Sequence, residues 1–234
     1  MKTTSRSATT TDPMFHGKHT DARLDRAAVW AGLELDATKR NLLAEFGAWL
    51  AREGVEAGGV GPDEAPRIVD RHVADSLVFA GGWDAAPPRV LDVGTGVGLP
   101  GIPLAIALPE TAFTLLDRSE RRCRLARRAV RVLALQNVSV EQRDVGDVTS
   151  LWPVMVFRAS LTPERALAVA APRLEPTGCA VVGLSRSTEP EGLPDAPFGT
   201  VLDLLHTAPG VLDSASWLLT MTRTDERTED GNPA

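Results

Sequence analysis

Apolar positions recur along this chain in two rhythms that take turns. Short aliphatic runs, such as Val90-Leu91-Asp92-Val93, Phe113-Thr114-Leu115-Leu116 and Val138-Ser139-Val140, alternate with stretches where apolar residues return every three or four positions. The first rhythm predicts strands over 89–93, 112–117 and 138–143, and the second predicts helices over 100–108 and 119–135. Further strands are expected over 154–157 and 178–184, with a helix over 163–172 between them. Such alternation implies an α/β fold with a parallel sheet, because each strand must return through a right-handed helical crossover. Residues 201–222 read as two strands around Pro209-Gly210, an antiparallel hairpin at the sheet edge.

Ahead of this core the pattern is purely helical. Leu24, Ala27, Ala28 and Ala31 share one face, and Asp36 is placed to cap a second helix carrying Leu42, Leu43, Phe46, Trp49 and Leu50. Residues 57–66, rich in Gly, Pro and acids, read as a loop. A short helix follows over 68–79 and ends at Gly81-Gly82. The chain thus divides into a polar tail over 1–20, a helical cap over 21–80, a core over 81–223 and an acidic tail over 224–234.

The chemistry concentrates where the first core strand ends. Asp92-Val93-Gly94-Thr95-Gly96-Val97-Gly98-Leu99-Pro100-Gly101 is a glycine-dense turn entering a helix, as needed where a nucleoside lies across a strand end. Residues 96–101 also match the dinucleotide pattern G-x-G-x-x-G, a weak signal by itself. An acid two residues ahead of the first glycine favours S-adenosylmethionine (SAM) instead, since a carboxylate suits its cationic aminoacyl end and opposes a pyrophosphate. Asp117 ends the second strand at the offset of roughly 20 residues expected for a ribose-hydroxyl acceptor.

Composition narrows the picture further. Hydrophobic residues make up 43% of the 234, with no run approaching the roughly 20 residues of a membrane span. The first twenty residues lack the apolar segment of a signal peptide, so a cytoplasmic monomer is expected, with no membrane partner. Cys123 and Cys179 have no metal-ligand spacing; no metal is expected, and both read as buried small apolar residues. The net charge of −6 does not advertise nucleic-acid binding for the whole molecule. Its distribution is uneven. Arg118, Arg121, Arg122, Arg124, Arg127, Arg128 and Arg131 crowd the helix after Asp117, either as a solvated face or as a phosphate-contacting ridge.

These residues resemble the RsmG/GidB family, which methylates guanine N7 in small-subunit ribosomal RNA using SAM. The shared words are Arg71-His72-x-x-Asp75-Ser76, the run from Leu91 to Leu104 containing Gly98-Leu99-Pro100-Gly101-Ile102-Pro103, then Phe113 to Asp117, Asn137-Val138 and Arg158-Ala159. The resemblance implies a Rossmann-like class I SAM-dependent methyltransferase with ribosomal RNA or the small ribosomal subunit as partner. It implies a cofactor site of Asp92, Gly94, Thr95, Gly96, Gly98, Leu99 and Asp117. It further implies Val145 and Gly146 beside the adenine, and Arg158 near the methionine end or the target base. Arg71 and His72 join Arg158 as candidate catalytic residues; within their helix Arg71 and Asp75 are also spaced to pair with each other. Asp144 and Asp147 flank the expected adenine loop. Two stretches depart from the family pattern: Arg52-Glu53-Gly54 and the following loop replace a Trp-Asn-x-x-x-Asn-Leu-Thr word, and Ser185-Arg186 replaces a Lys-Gly pair. A small-molecule or different RNA acceptor, or a SAM-binding interaction module, therefore stays open as an alternative.

Overall fold

The structure, a computed structural model, describes residues 13–186 and 188–224. Helix α1 (Pro13–Trp30) begins within the segment expected to be a tail. Pro13 stands at its first position, where a fixed φ and a missing amide hydrogen cost nothing. That start was illegible because 13–20 carries no apolar period. The remainder of the expected tails, 1–12 and 225–234, lies outside the described residues.

Helix α2 (Ala37–Trp49) starts as expected, with the Asp36 carboxylate accepting from the Lys39 amide at 2.8 Å. The stretch expected to be a loop contains a 3-10 turn (Pro62–Arg67), which its prolines favour. The next helix is continuous but irregular: a wide π turn (Val69–Val73), one α turn α3 (Ala74–Leu77) and a 3-10 turn (Val78–Gly82). It packs against α1 and against α4 (Gly101–Ala107). Gly81 lets it approach α1, since a Cβ there would stand 2.6 Å from the Trp30 ring.

The sheet has seven strands in the order β3-β2-β1-β4-β5-β7-β6. They are β1 (Arg89–Val93), β2 (Ala112–Asp117), β3 (Val138–Gln142), β4 (Trp152–Arg158), β5 (Leu174–Arg186), β6 (Thr200–His206) and β7 (Ser216–Arg223). The first five run parallel, with helices α5 (Glu120–Val132) and α6 (Pro163–Ala170) among the crossovers. In the antiparallel hairpin only β6 is the edge: β7 inserts between it and β5. Strands β1 to β3 progress to one side, and the chain then crosses back to lay β4 on the other side of β1. Between β1 and β4 the order reverses, and loops there diverge to open a crevice at the carboxyl ends of the strands.

Apolar side chains fill both faces of the sheet. Phe46, Phe79 and Phe113 lie on the cap side and Phe157 on the other, none more than 1% exposed, and each such burial contributes roughly 1.5–3 kcal/mol. Cys123 and Cys179 are buried free thiols, and burial pushes Cys179 up to about 12. Among the described residues no helix is long and apolar enough to cross a membrane.

Candidate functional site

The crevice is floored by the turn after β1. The amides of Gly94 and Thr95 both donate to the Leu116 carbonyl, at 2.7 and 3.0 Å, which ties the turn to β2. Gly94, Gly96 and Gly98 have φ of +72°, +60° and +96°. Gly94 also lies so close to Ser160 that a Cβ would meet the serine Cβ at 2.4 Å. Gly98 packs on Ile102, away from the crevice, whereas a Cβ at Gly96 would meet nothing within 4 Å. These glycines serve different ends: close packing at 94 and 98, open approach at 96.

Asp92 is not where the sequence suggested. Its side chain is fully buried beneath the turn, and one oxygen accepts from Thr95 Oγ1 at 2.6 Å and from the Gly101 amide at 2.9 Å. Burial pushes the carboxyl up to about 7, against the opposing pull of those two hydrogen bonds. The expected carboxylate facing a cationic cofactor is therefore a buried clamp on the turn. The β alternation explains this: Asp92 falls on the inward face of β1, under α4.

One half of the crevice, about 370 Å³, lies over the ends of β1 and β2. Gly94, Asp117, Val145 and Gly146 line it, together with Asp144, Arg143 and Ser160. Asp117 is 3% exposed and accepts from the Gly96 amide at 3.1 Å and the Ser119 amide at 2.8 Å. A carboxylate offers about four lone-pair sites, so two remain for hydroxyls of a sugar. The Asp144 carboxylate accepts from the Gly146 amide at 2.8 Å, shaping the loop that carries Val145. Ser160 Oγ is buried and has no partner among the described residues. An orphaned hydroxyl, a sugar-acceptor acid and an open glycine face together fit a nucleoside cofactor of the SAM type.

The other half, about 360 Å³, shares Gly94, Arg122 and Ala159 with the first and extends toward the cap. Thr95, Gly96, Leu99, His72, Glu64 and Arg158 line it. Arg158, at the end of β4, is clasped by the cap helix: it pairs with Asp75 at 3.0 Å and donates to Ser76 Oγ and His72 Nδ1, each at 3.2 Å. Arginine has only donors, so His72 Nδ1 must be the bare nitrogen, and the proton sits on Nε2, which faces the Glu64 carboxylate at 3.2 Å. Burial and then the Arg158 charge lower the His72 pKa, partly opposed by Glu64 and Asp75, so the ring is neutral at neutral pH. Arg71 pairs with Glu64 at 3.3 Å and lies outside the crevice lining.

The resemblance named Arg158 and His72 as candidates, and the structure brings both into the crevice; Glu64, Ser160 and Arg122, which lines both halves, were not assigned to it. Only Arg122 left a trace in the sequence, within the arginine-rich run after Asp117. Asp147 is not among the lining residues.

The family model for GidB, described as rRNA small subunit methyltransferase G, matches residues 39–191. Curated relatives carry the same description. One from Frankia casuarinae is 33% identical, with 84% of this chain and 78% of the relative covered. Another from Frankia alni is 34% identical, with 86% and 80% covered. Among solved structures, precorrin-6y C5,15-methyltransferase from Geobacter metallireducens overlays 64% of this chain and 87% of its own at 13% identity, with a TM-score of 0.48.

Proposed function

The chain belongs to the GidB family of small-subunit rRNA methyltransferases, and from that premise we propose that it transfers the methyl group of SAM to guanine N7 of small-subunit ribosomal RNA. The observation that carries the reading is the two-part crevice, one half suited to a nucleoside and the other reaching the Arg158 clasp, meeting at Gly94, Arg122 and Ala159.

In this reading Gly94, Thr95, Gly96 and Leu99 form the floor for the cofactor, and Asp117 accepts its ribose hydroxyls. Val145 and Gly146 lie along the adenine, with Asp144 able to accept from the exocyclic amine. Asp92 and Gly98 act at one remove, by holding the turn. SAM supplies an electrophilic methyl group on a sulfonium. Guanine N7 has a lone pair in the neutral base and loses no proton on attack, so no general base is required and alignment carries the rate. Arg158, immobilised by Asp75, Ser76 and His72, presents a fixed positive charge to the cofactor carboxylate or to the O6 edge of guanine. His72 is neutral and serves to orient Arg158, and Glu64 holds the His72 tautomer.

The test is transfer of tritium from labelled SAM to small-subunit particles, to total RNA and to a metabolite extract, followed by mass mapping of the product. Label at a guanine N7 of the small-subunit RNA is expected. Label confined to the extract would assign a small-molecule acceptor instead. No label in any fraction, with SAM bound normally, would mark a binding module without transfer.

A further inference from the structure

Next to the crevice, beyond Asp117, lies a second cavity of about 370 Å³ between the 57–59 turn and the start of α5. Three guanidinium groups, those of Arg118, Arg121 and Arg122, face it against the single carboxylate of Asp117. That carboxylate is already engaged by the Gly96 and Ser119 amides, and Arg122 stands 3.7 Å from it. The cavity is therefore net cationic, and it opens beside the cofactor half, with which it shares Asp117, Arg118 and Arg122.

The charge continues along α5. Residues 118–132 hold seven arginines against one glutamate, in a chain whose total is −6. Cys123, Ala126 and Ala129 bury the opposite face, so the arginines share the outer one. Some are tethered: Arg121 donates to the Ala57 carbonyl, Arg124 lies 3.6 Å from Glu120 and Arg128 lies 2.8 Å from Glu53. A guanidinium has five N–H donors, so one such bond orients the group and leaves donors for a ligand. Arg124 and Arg128 side chains are still 68% and 59% exposed. A solvated helix face needs no cavity at its end, and a cavity walled by planar forks matches the geometry of phosphate.

We infer that this cavity seats a backbone phosphate of the RNA strand beside the target nucleotide, and that the strand then follows the outer face of α5. The inference rests on the proposed function and adds the path by which its substrate reaches the methyl donor. A pocket of this size lies within the range of about 300–1,000 Å³ that holds small ligands, enough for a ribose phosphate.

The experiment compares the full chain with its Arg121→Gln, Arg121→Lys and Arg124→Gln/Arg131→Gln variants, all outside the cofactor half. Binding of small-subunit RNA is measured across a salt series, with SAM binding followed by calorimetry. Arg121→Gln should weaken RNA binding about 10-fold and flatten the slope of log K against log salt by about 0.7, the value of one phosphate contact on a single strand. The double variant should flatten it by up to about twice that. Arg121→Lys should retain the slope, and SAM affinity should not move in any variant. Unchanged slopes in Arg121→Gln and in the double variant would overturn the path. So would equal losses in Arg121→Lys and Arg121→Gln, since the bond to Ala57 would then be what matters. The double variant alters only exposed positions and keeps the test open if Arg121→Gln fails to fold. Binding of guanosine monophosphate, abolished in Arg121→Gln while RNA binding stays intact, would reassign the cavity to free nucleotides. Absence of RNA binding by the unaltered chain would sink the proposed function together with this path.

Discussion

The two halves of the crevice are built in opposite ways. Around Gly94 and Asp117 the walls are mostly short consecutive segments at strand ends, shaped by backbone conformation at the Gly94 turn. Around Arg158 the glycine-bearing stretches 58–61 and 94–96 are joined by ionisable side chains brought together from the 3-10 turn, the cap helix and β4. The first half is intolerant of added atoms. The second is intolerant of lost charges, because each group there is held by another from a distant part of the chain.

Arg158→Ala tests that contrast with the largest expected effect. It takes the Arg158 guanidinium away from Asp75, whose side chain is 6% exposed, and breaking a buried pair from one side costs about 3–5 kcal/mol. Urea denaturation should show this loss, and Arg158→Ala combined with Asp75→Asn should recover part of it. Equal stability of Arg158→Ala and the unaltered protein would show that the clasp is not holding the cap to the core.

Asp92 offers the next largest effect, through pH. Its folded pKa of about 7 lies above the ordinary value of 3.8, so the folded state binds the proton more tightly. The associated stability is fully present below about pH 4 and is lost as pH rises through about 7, by as much as roughly 4 kcal/mol. Asp92→Asn keeps an acceptor for Thr95 and Gly101 without a titrating group. Its melting temperature relative to the unaltered protein should rise between pH 5 and pH 8. A difference that stays constant with pH would mean that Asp92 does not titrate in this range.

The glycines of the turn after β1 can be set against each other. Gly94→Ala adds left-handed strain to a 2.4 Å clash with Ser160, for a cost of about 2–4 kcal/mol and lost SAM binding. Gly96→Ala has the same backbone hand but open space, and should cost only about 1–2 kcal/mol. Calorimetric titration with SAM separates the two, and identical losses would show that strain alone matters.

Glu64→Gln should give the smallest effect and the most local one. Glu64 raises the His72 pKa through its charge and its hydrogen bond, so its neutralisation should lower that already depressed value further. An imidazole titration followed by nuclear magnetic resonance reads this directly. An unchanged or raised His72 pKa would remove Glu64 as its partner.

Much of the cofactor half was legible in the sequence. The strand periods, the glycine turn and the acid closing β2 are local patterns, and local sterics require them wherever the chain runs. The cap side was legible only in pieces. Arg71 and Asp75 have the spacing of an i, i+4 pair, but the partners outside the helix, Glu64 for Arg71 and Arg158 for Asp75, had no signal in that spacing. The cavity at α5 needed the 57–59 turn to fold back beside Arg121, which no spacing announced.

By itself the sequence determined the alternating strand and helix core, the turn after β1 and the placement of Asp117, because each follows from backbone rules acting over a few residues. Tertiary structure alone decided that Asp92 would be a buried clamp, that Arg158 would meet Ser76 from 82 positions away, and that the arginines of α5 would border a cavity. Burial and charge pairing depend on what is packed nearby, and packing joins residues that the order of the chain keeps apart.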